Sequence, residues 1–360
     1  MPTDTTTAAH RLLRWLPLLT REALLDHPRA DASEVTRLRR RFGHNSASFV
    51  VEYPAPWRRF LATDVEGAAC YLEARRTAVV WGDPLCRERD TAAVLDELTA
   101  AMRRGRRRIC LVPIGPSTAT AALERGYGVL KIGEEPVFDL REWRPPRGRA
   151  GKTLRGQLNR ARRSHTEVGA YDPAKGRQPA LEEELSSVQR SWGDALGDRV
   201  VNSVLEPAPL LRCEEKRYFY ARRGGRVEAF VACTPIAARR GWLLEDLTRR
   251  PDAGRGVSEL VAVEALQTLR AGGAGVASLG LAPGRGLEEQ PDRRMAAVAP
   301  LLRFVLASLE RHYRFTGIEA WAEKFRPSAW EPRFVAFRPR WPTHGLVRGA
   351  MQALGLARAF

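Results

Sequence analysis

Lysine is nearly missing from this chain: of 59 basic residues only Lys131, Lys152, Lys175, Lys216 and Lys324 are lysine, and the other 54 are arginine. Against 42 acidic residues this leaves a formal charge of +17. Two readings of that skew stay open, a compositional bias of the genome that implies no partner and a surface that meets a polyanion. Cysteine is scarce as well. Cys70, Cys86, Cys110, Cys213 and Cys233 are an odd number without a Cys-x-x-Cys pair, and Cys and His never reach zinc-ligand spacing, so no disulfide framework and no metal site is expected. Long apolar runs are absent too. The stretch Ile109 to Leu123 is the longest without a charge, and its fifteen residues, broken by Pro113 and Pro116, fall short of the roughly 20 that span a bilayer. Met1 to His10 lacks the basic start and apolar core of a signal peptide, which makes a cytoplasmic location the expectation.

What is present is a globular composition. With 360 residues, 44% hydrophobic and 28% charged, the chain is long enough for two domains at about 150 residues each. Its charge is unevenly spread. Arg141, Arg144, Arg147, Arg149, Lys152, Arg155, Arg160, Arg162 and Arg163 face only Glu142 between residues 141 and 165, so this segment alone carries +8. A second cluster, Arg103, Arg104 and Arg106 to Arg108, closes a helix-like stretch, where cations also complement the helix dipole.

Periodicity predicts a strand over Ala69–Trp81, a turn at Gly82-Asp83-Pro84, and a helix over Thr91–Arg104. A strand Arg108–Ile114, a short helix Ser117–Arg125, and one or two strands over Tyr127–Leu140 follow. The run Trp143-Arg144-Pro145-Pro146-Arg147-Gly148 stops regular structure and sets a domain boundary near residue 150. Beyond it come a basic helix Lys152–Ser164 with a narrow stripe of Leu154, Leu158 and Ala161, and a helix Leu181–Trp192. A hairpin turning at Gly224-Gly225 is next. Then follow a strand Trp242–Thr248, a helix Val257–Ala271, a strand Val276–Leu281, a helix Ala297–Tyr313, and a strand Phe334–Arg338. Both halves run in similar order, which predicts two α/β domains of one type, residues 1–150 and 151–342, with a tail, 343–360, that forms an amphipathic helix. That helix could pack on the domain or lie on an anionic membrane surface.

Several motifs form an ordered set. Glu245-Asp246-Leu247-Thr248-Arg249-Arg250-Pro251-Asp252-Ala253 is similar to "DLMRR-P-x-A", and Ser278-Leu279-Gly280-Leu281-Ala282-Pro283 to "NLGMAP". Phe315-Thr316-Gly317-Ile318 matches "F-x-G-L", and Glu323-Lys324-Phe325-Arg326-Pro327 with Trp330-Glu331-Pro332-Arg333-Phe334 matches "KFxPxWxPRY". Earlier come Gly82-Asp83-Pro84, Lys131-Ile132-Gly133-Glu134-Glu135, and Leu154-Arg155 with Asn159-Arg160. Together they resemble the C-terminal catalytic domain of the phosphatidylglycerol lysyltransferases, the multiple peptide resistance factor family. Thr248 in place of Met, Leu85-Cys86 in place of Val-Gly, and Gly284-Arg285-Gly286 in place of Leu-Ser-Gly depart from its pattern.

The resemblance implies mixed α/β sheets in tandem acetyltransferase-like domains, and an enzyme that takes an amino acid from aminoacyl-tRNA to a hydroxyl acceptor. In the family's long members that acceptor is phosphatidylglycerol and a membrane flippase domain precedes the catalytic one. A soluble small-molecule hydroxyl is the alternative acceptor, and peripheral contact with the inner membrane face goes with the lipid. An aminoacyl ester is already activated, so no cofactor and no metal is expected; transfer takes positioning, a proton acceptor and stabilisation of an oxyanion. Asp246 is the candidate base or orienting carboxylate, or else a partner of Arg249. Three residues apart, the two lie on opposite faces of a regular strand and share a site only if the strand bends before Pro251. Lys324 is the candidate for a substrate phosphate or oxyanion, and Arg333 for a phosphate. Gly254 and Gly256, before a helix start, are candidates for an anion-binding loop, which would also serve a coenzyme A dependent N-acyltransferase, or else belong to an ordinary glycine-containing turn. Gly280 and Pro283 complete the substrate set, while Lys152, Arg155, Asn159, Arg160, Arg162 and Arg163 are candidates for tRNA contact through phosphates.

Overall fold

The computed structural model of the chain describes residues 32–53, 55–196, 209–313 and 316–355. Met1 to His10, Phe315 and the last five residues of the expected tail lie outside them. Among the described residues, thirteen strands form a single sheet. In chain order they are β1 (Arg58–Leu61), β2 (Gly67–Ala74), β3 (Thr77–Trp81), β4 (Leu85–Cys86), β5 (Arg108–Ile114), β6 (Gly128–Asp139), β7 (Glu167–Tyr171), β8 (Arg217–Arg223), β9 (Arg226–Ile236), β10 (Gly241–Arg249), β11 (Val276–Ser278), β12 (Ala282–Pro283) and β13 (Ala329–Arg338). The helices are α1 (Ala32–Phe42), α2 (Thr91–Arg104), α3 (Pro116–Glu124), α4 (Lys152–Arg163), α5 (Pro179–Leu196), α6 (Val257–Ala271), α7 (Ala299–Tyr313), α8 (Thr316–Glu323) and α9 (His344–Ala353).

The sheet order is β1-β2-β3-β5-β13-β6-β11-β10-β9-β8-β7, with β4 beside β2 and β12 beside β6. Among the described strands only β3–β5 and β10–β11 are parallel, and each pair is joined through one crossover helix, α2 in the first half and α6 in the second. The long strands β6 and β13 lie antiparallel at the centre, from Gly128↔Phe337 to Val137↔Ala329. β13, from the end of the chain, pairs with β5 of the first half; β6, from the first half, pairs with β11 of the second. Each half is thus a mixed α/β unit whose parallel pair is continued by the other half's long strand.

Local chemistry explains most elements. Leu154, Leu158 and Ala161 are buried at helical spacing and dock α4 against α6, each leucine contributing about 1.5–3 kcal/mol of burial. Gly224 and Gly225, at φ +55° and +79°, make the turn between β8 and β9, where Arg223 faces Arg226. The expected strand Ala69–Trp81 is instead a hairpin. Its turn is Arg75-Arg76, both in the left-handed region at φ +49° and +57°, where no glycine or asparagine marks it. The stretch Tyr127–Leu140 is one strand, β6. α9 packs on β2 and β3: Leu346 and Gly349 are buried, and Arg75 Nε donates to Gln352 Oε1 at 2.6 Å. Among the described residues no helix is long and apolar enough to cross a membrane.

A 3₁₀ segment, Ser46–Glu52, crosses the centre of the sheet. Asn45 caps it by accepting from the Ala47 N–H at 2.8 Å. Along its length it accepts a hydrogen bond from Trp81 of β3 at the Ala47 carbonyl and donates one to Glu135 of β6 from Ser46. Tyr53, which follows it, reaches Glu245 of β10, so one short segment touches both halves.

Candidate functional site

In each half the parallel strands diverge beyond a few paired residues. The first opening is sealed. Asp83, buried at the end of β3, accepts from the Gly115 N–H at 2.9 Å and from Asn45 Nδ2 at 2.7 Å, while Asn45 also donates to the Pro113 carbonyl at 3.0 Å. His44 Nε2 lies 3.4 Å from the same carboxylate. Burial acts to raise the Asp83 pKa, but hydrogen bonding and attraction from His44 prevail and hold it below the ordinary value. His44 is raised in turn, first by that hydrogen bond.

The second opening is built differently. β10 and β11 pair only from Gly241↔Val276 to Leu243↔Ser278, after which β10 continues to Arg249 with β9 as its one neighbour among the described strands. A bulge falls between Leu244 and Asp246, so Glu245 is the extra residue of the strand. Tyr53 Oη donates to its carboxylate, and the fully buried Lys216 Nζ lies 3.9 Å away, donating to the Pro209 carbonyl at 3.1 Å and sitting 4.7 Å from the Tyr53 ring centroid. Burial pushes the Glu245 pKa up, and Lys216 and Tyr53 offset part of that rise.

Beside it, Glu135 of β6 gathers three donors. Ser46 Oγ donates at 2.9 Å, Ser278 Oγ also donates, and Arg333 Nη2 lies 2.6 Å away. Arg333 is 3% exposed and its second carboxylate is Glu331 at 2.9 Å, itself held by Arg239 at 2.8 Å. The Gly280 N–H, in a residue at φ +81°, donates to Ser278 Oγ at 2.9 Å. Pro283 in β12 pairs with Gly133. Gly280, Pro283 and Arg333 therefore gather around β6 and the end of β11.

Of the remaining expected residues, the Asp246 side chain lies outside those described, and the others lie around α6 and the loop before it. The ladder from Asp246↔Ala232 to Arg249↔Ala229 is unbroken, so the bend that would bring Asp246 and Arg249 to one face is absent and the two stand on opposite faces of β10, with Arg249 exposed. The Gly254 N–H points to Glu228 Oε2 at 3.4 Å. Gly256, at φ +87°, lies directly beneath the Gln157 carbonyl of α4, where a Cβ would overlap it. Lys324 pairs with Glu259 in the first turn of α6 at 2.9 Å, and next to it the Phe325 carbonyl accepts from Trp143 Nε1 at 2.8 Å. Across this end of α6 lies α4, with Lys152, Arg155, Asn159, Arg160, Arg162 and Arg163 all exposed. Arg155 donates to the Gly148 carbonyl and Arg162 pairs with Glu264; Lys152, Arg160 and Arg163 have no side-chain partner among the described residues.

Sequence reasoning passed over Glu245, Tyr53, Lys216, Glu135 and Ser278. Glu245, Glu135 and Ser278 stand inside the sequence motifs, and Lys216 is one of the five lysines.

The comparisons agree with this architecture. The family model described as phosphatidylglycerol lysyltransferase, C-terminal, matches residues 48–337. A Bacillus licheniformis structure described as L-PGS superposes with a TM-score of 0.74 at 20% identity, covering 91% of this chain and 97% of that one. The C-terminal domain of an Agrobacterium fabrum protein described as a putative lysylphosphatidylglycerol synthetase gives 0.71 at 21%, covering 89% and 96%. A conserved Bacteroides thetaiotaomicron protein of unknown function gives 0.58 at 12%, covering 87% and 98%. Curated proteins gave no match. With four fifths of its length inside that model, the chain belongs to the family of phosphatidylglycerol lysyltransferase C-terminal domains.

Proposed function

We propose that the protein transfers an aminoacyl group from aminoacyl-tRNA to a hydroxyl acceptor, a phosphatidylglycerol-type lipid. The observation that carries the tRNA part is α4: it is exposed along its basic face, has three cations without a side-chain partner among the described residues, and is seated on the start of α6 through Gly256. A duplex acceptor stem offers such a helix its phosphates, since its major groove is too narrow for side chains. The family supports the lipid as acceptor.

The acceptor hydroxyl attacks the ester carbonyl, a base takes its proton, and the tetrahedral oxyanion expels the ribose oxygen, which is protonated in turn. We place Asp246 as the base or orienting carboxylate, Arg249 as a phosphate contact where β10 ends, and Lys324 as the cation that exchanges Glu259 for substrate charge. Gly254, Gly256, Gly280, Pro283 and Arg333 shape the surrounding walls. A coenzyme A pyrophosphate fits less well at the start of α6, because Glu228 and Glu259 put two carboxylates where it needs donors.

Incubation with a panel of labelled aminoacyl-tRNAs and phosphatidylglycerol vesicles tests this. Label from at least one tRNA is expected in the lipid phase, and RNase pretreatment should abolish it. Transfer only to a small soluble hydroxyl compound would replace the lipid as acceptor, and no transfer from any tRNA would overturn the proposal.

A further inference from the structure

The bulge in β10 sets Glu245 apart from every other carboxylate near the opening. It is the one residue of the strand without a ladder partner, and it stands where β10 has just left β11, the place where a planar ester could enter the sheet. Its side chain is 16% exposed, and β9 holds the strand on both sides of the bulge that carries it. Among the described residues, the groups that face it are the Tyr53 hydroxyl from the crossing segment, the Lys216 ammonium at the start of β8, and the Cys233 thiol on β9, which burial keeps neutral. Tyr53 also lines a cleft of about 590 Å³ shared with Glu52, Trp57, Arg40, Arg59 and Arg212. Tyr53 thus borders the cleft and hydrogen-bonds Glu245.

We infer that Glu245 is the proton acceptor of the transfer, with Tyr53 as the positioning residue, and that the cleft beside Tyr53 admits the hydroxyl acceptor. This rests on the aminoacyl-transfer reading for the reaction itself. The acceptor O–H bond breaks as its oxygen bonds to the ester carbonyl carbon, and the proton passes to the Glu245 carboxylate. When the tetrahedral intermediate collapses, the carbon–oxygen bond to the ribose breaks and the leaving oxygen takes that proton back. Glu245 ends as it began, and no further reactant is consumed. A carboxyl held above its ordinary range by burial is closer in basicity to the task than an exposed one. Asp246 then orients substrate, and the arginines of the cleft give an anionic headgroup its counter-charges.

The test is the pH dependence of single-turnover transfer in the full chain. Glu245→Gln should lose on the order of 10²–10⁴ in rate, with unfolding temperature and tRNA binding close to wild type, and Glu245→Asp should recover part of the loss. The wild-type rate should rise with pH through a limb above the usual carboxylate range. Tyr53→Phe removes a hydrogen bond that favours the carboxylate, so it should move that limb upward; a purely structural Tyr53 would leave it in place. Wild-type rates from Glu245→Gln, or a limb that Tyr53→Phe does not move, would overturn the inference while leaving the transfer reading intact. Carboxyl ¹³C NMR needs no turnover: wild type should show one glutamate titrating above the usual range that Glu245→Gln lacks, and its absence would overturn the inference independently.

Discussion

Gly256 and Gln157 touch without a side chain between them: the Gly256 α-carbon lies under the Gln157 carbonyl, at a backbone angle, φ +87°, that side chains rarely tolerate. The start of α6 and the basic helix can approach only because that position is glycine. Gly256→Ala is expected to destabilise the protein by about 1–3 kcal/mol and to displace α4. Thermal unfolding with RNA-binding anisotropy checks both effects; an unchanged midpoint would show that the close approach is dispensable.

The cations of α4 that lack a side-chain partner among the described residues give a second expectation. Replacing Lys152, Arg160 and Arg163 with alanine leaves the buried stripe of Leu154, Leu158 and Ala161 untouched, so stability should hold. RNA affinity should fall, and the slope of log affinity against log salt should flatten by about 0.7–0.9 for each phosphate that is no longer neutralised. A salt titration of binding measures it, and an unaltered slope would remove α4 from the RNA interface.

Arg333 and Glu135 form a buried pair with opposite consequences for single and double replacement. Arg333→Met leaves the Glu135 charge with only the Ser46 and Ser278 hydroxyls, which should cost about 3–5 kcal/mol. Adding Glu135→Gln should restore part of that loss. Urea denaturation of the two single variants and the double variant closes the cycle; strict additivity would mean that the pair is not coupled.

His44 and Asp83 set a pH window. The His44 pKa is raised in the fold, so its contribution is complete below the unfolded value of 6.5 and disappears as pH rises through the folded value. Asp83 is lowered, so its contribution is present above 3.8 and is lost as pH falls through its own folded value. Stability of wild type relative to His44→Gln should therefore decline as pH rises above 6.5. Chemical denaturation across that range decides it, and a constant difference would exclude the pair. His44 is 42% exposed, so the change should be small.

Much of this was legible in the sequence, and what was not has identifiable causes. The strand Arg108–Ile114 and the helices Thr91–Arg104 and Val257–Ala271 carry their own periodicity and turn residues, and they stand where the pattern puts them. The hairpin at Arg75-Arg76 was hidden because two arginines adopt left-handed backbone with no glycine to announce it. The 3₁₀ segment Ser46–Glu52 has too few residues to show a period. At the site, motif spacing located β10 and β11 but not the bulge, which arises from pairing with β9 and leaves no mark on the strand's own residues. Glu135 closes one of the motifs, yet its meaning depends on Ser46, Ser278 and Arg333, each distant in sequence.

The central place of β13 bears on how the chain matures during synthesis. Until residues 329–338 emerge, β5 and β6 each expose an unpaired edge at the middle of the molecule, not at its rim. A nascent chain would hold both halves of a groove whose filling strand is still inside the ribosome, and the sheet would close only once that strand has emerged. A truncation ending before Ala329 should accordingly aggregate, and a separate peptide carrying β13 should be the reagent that rescues it.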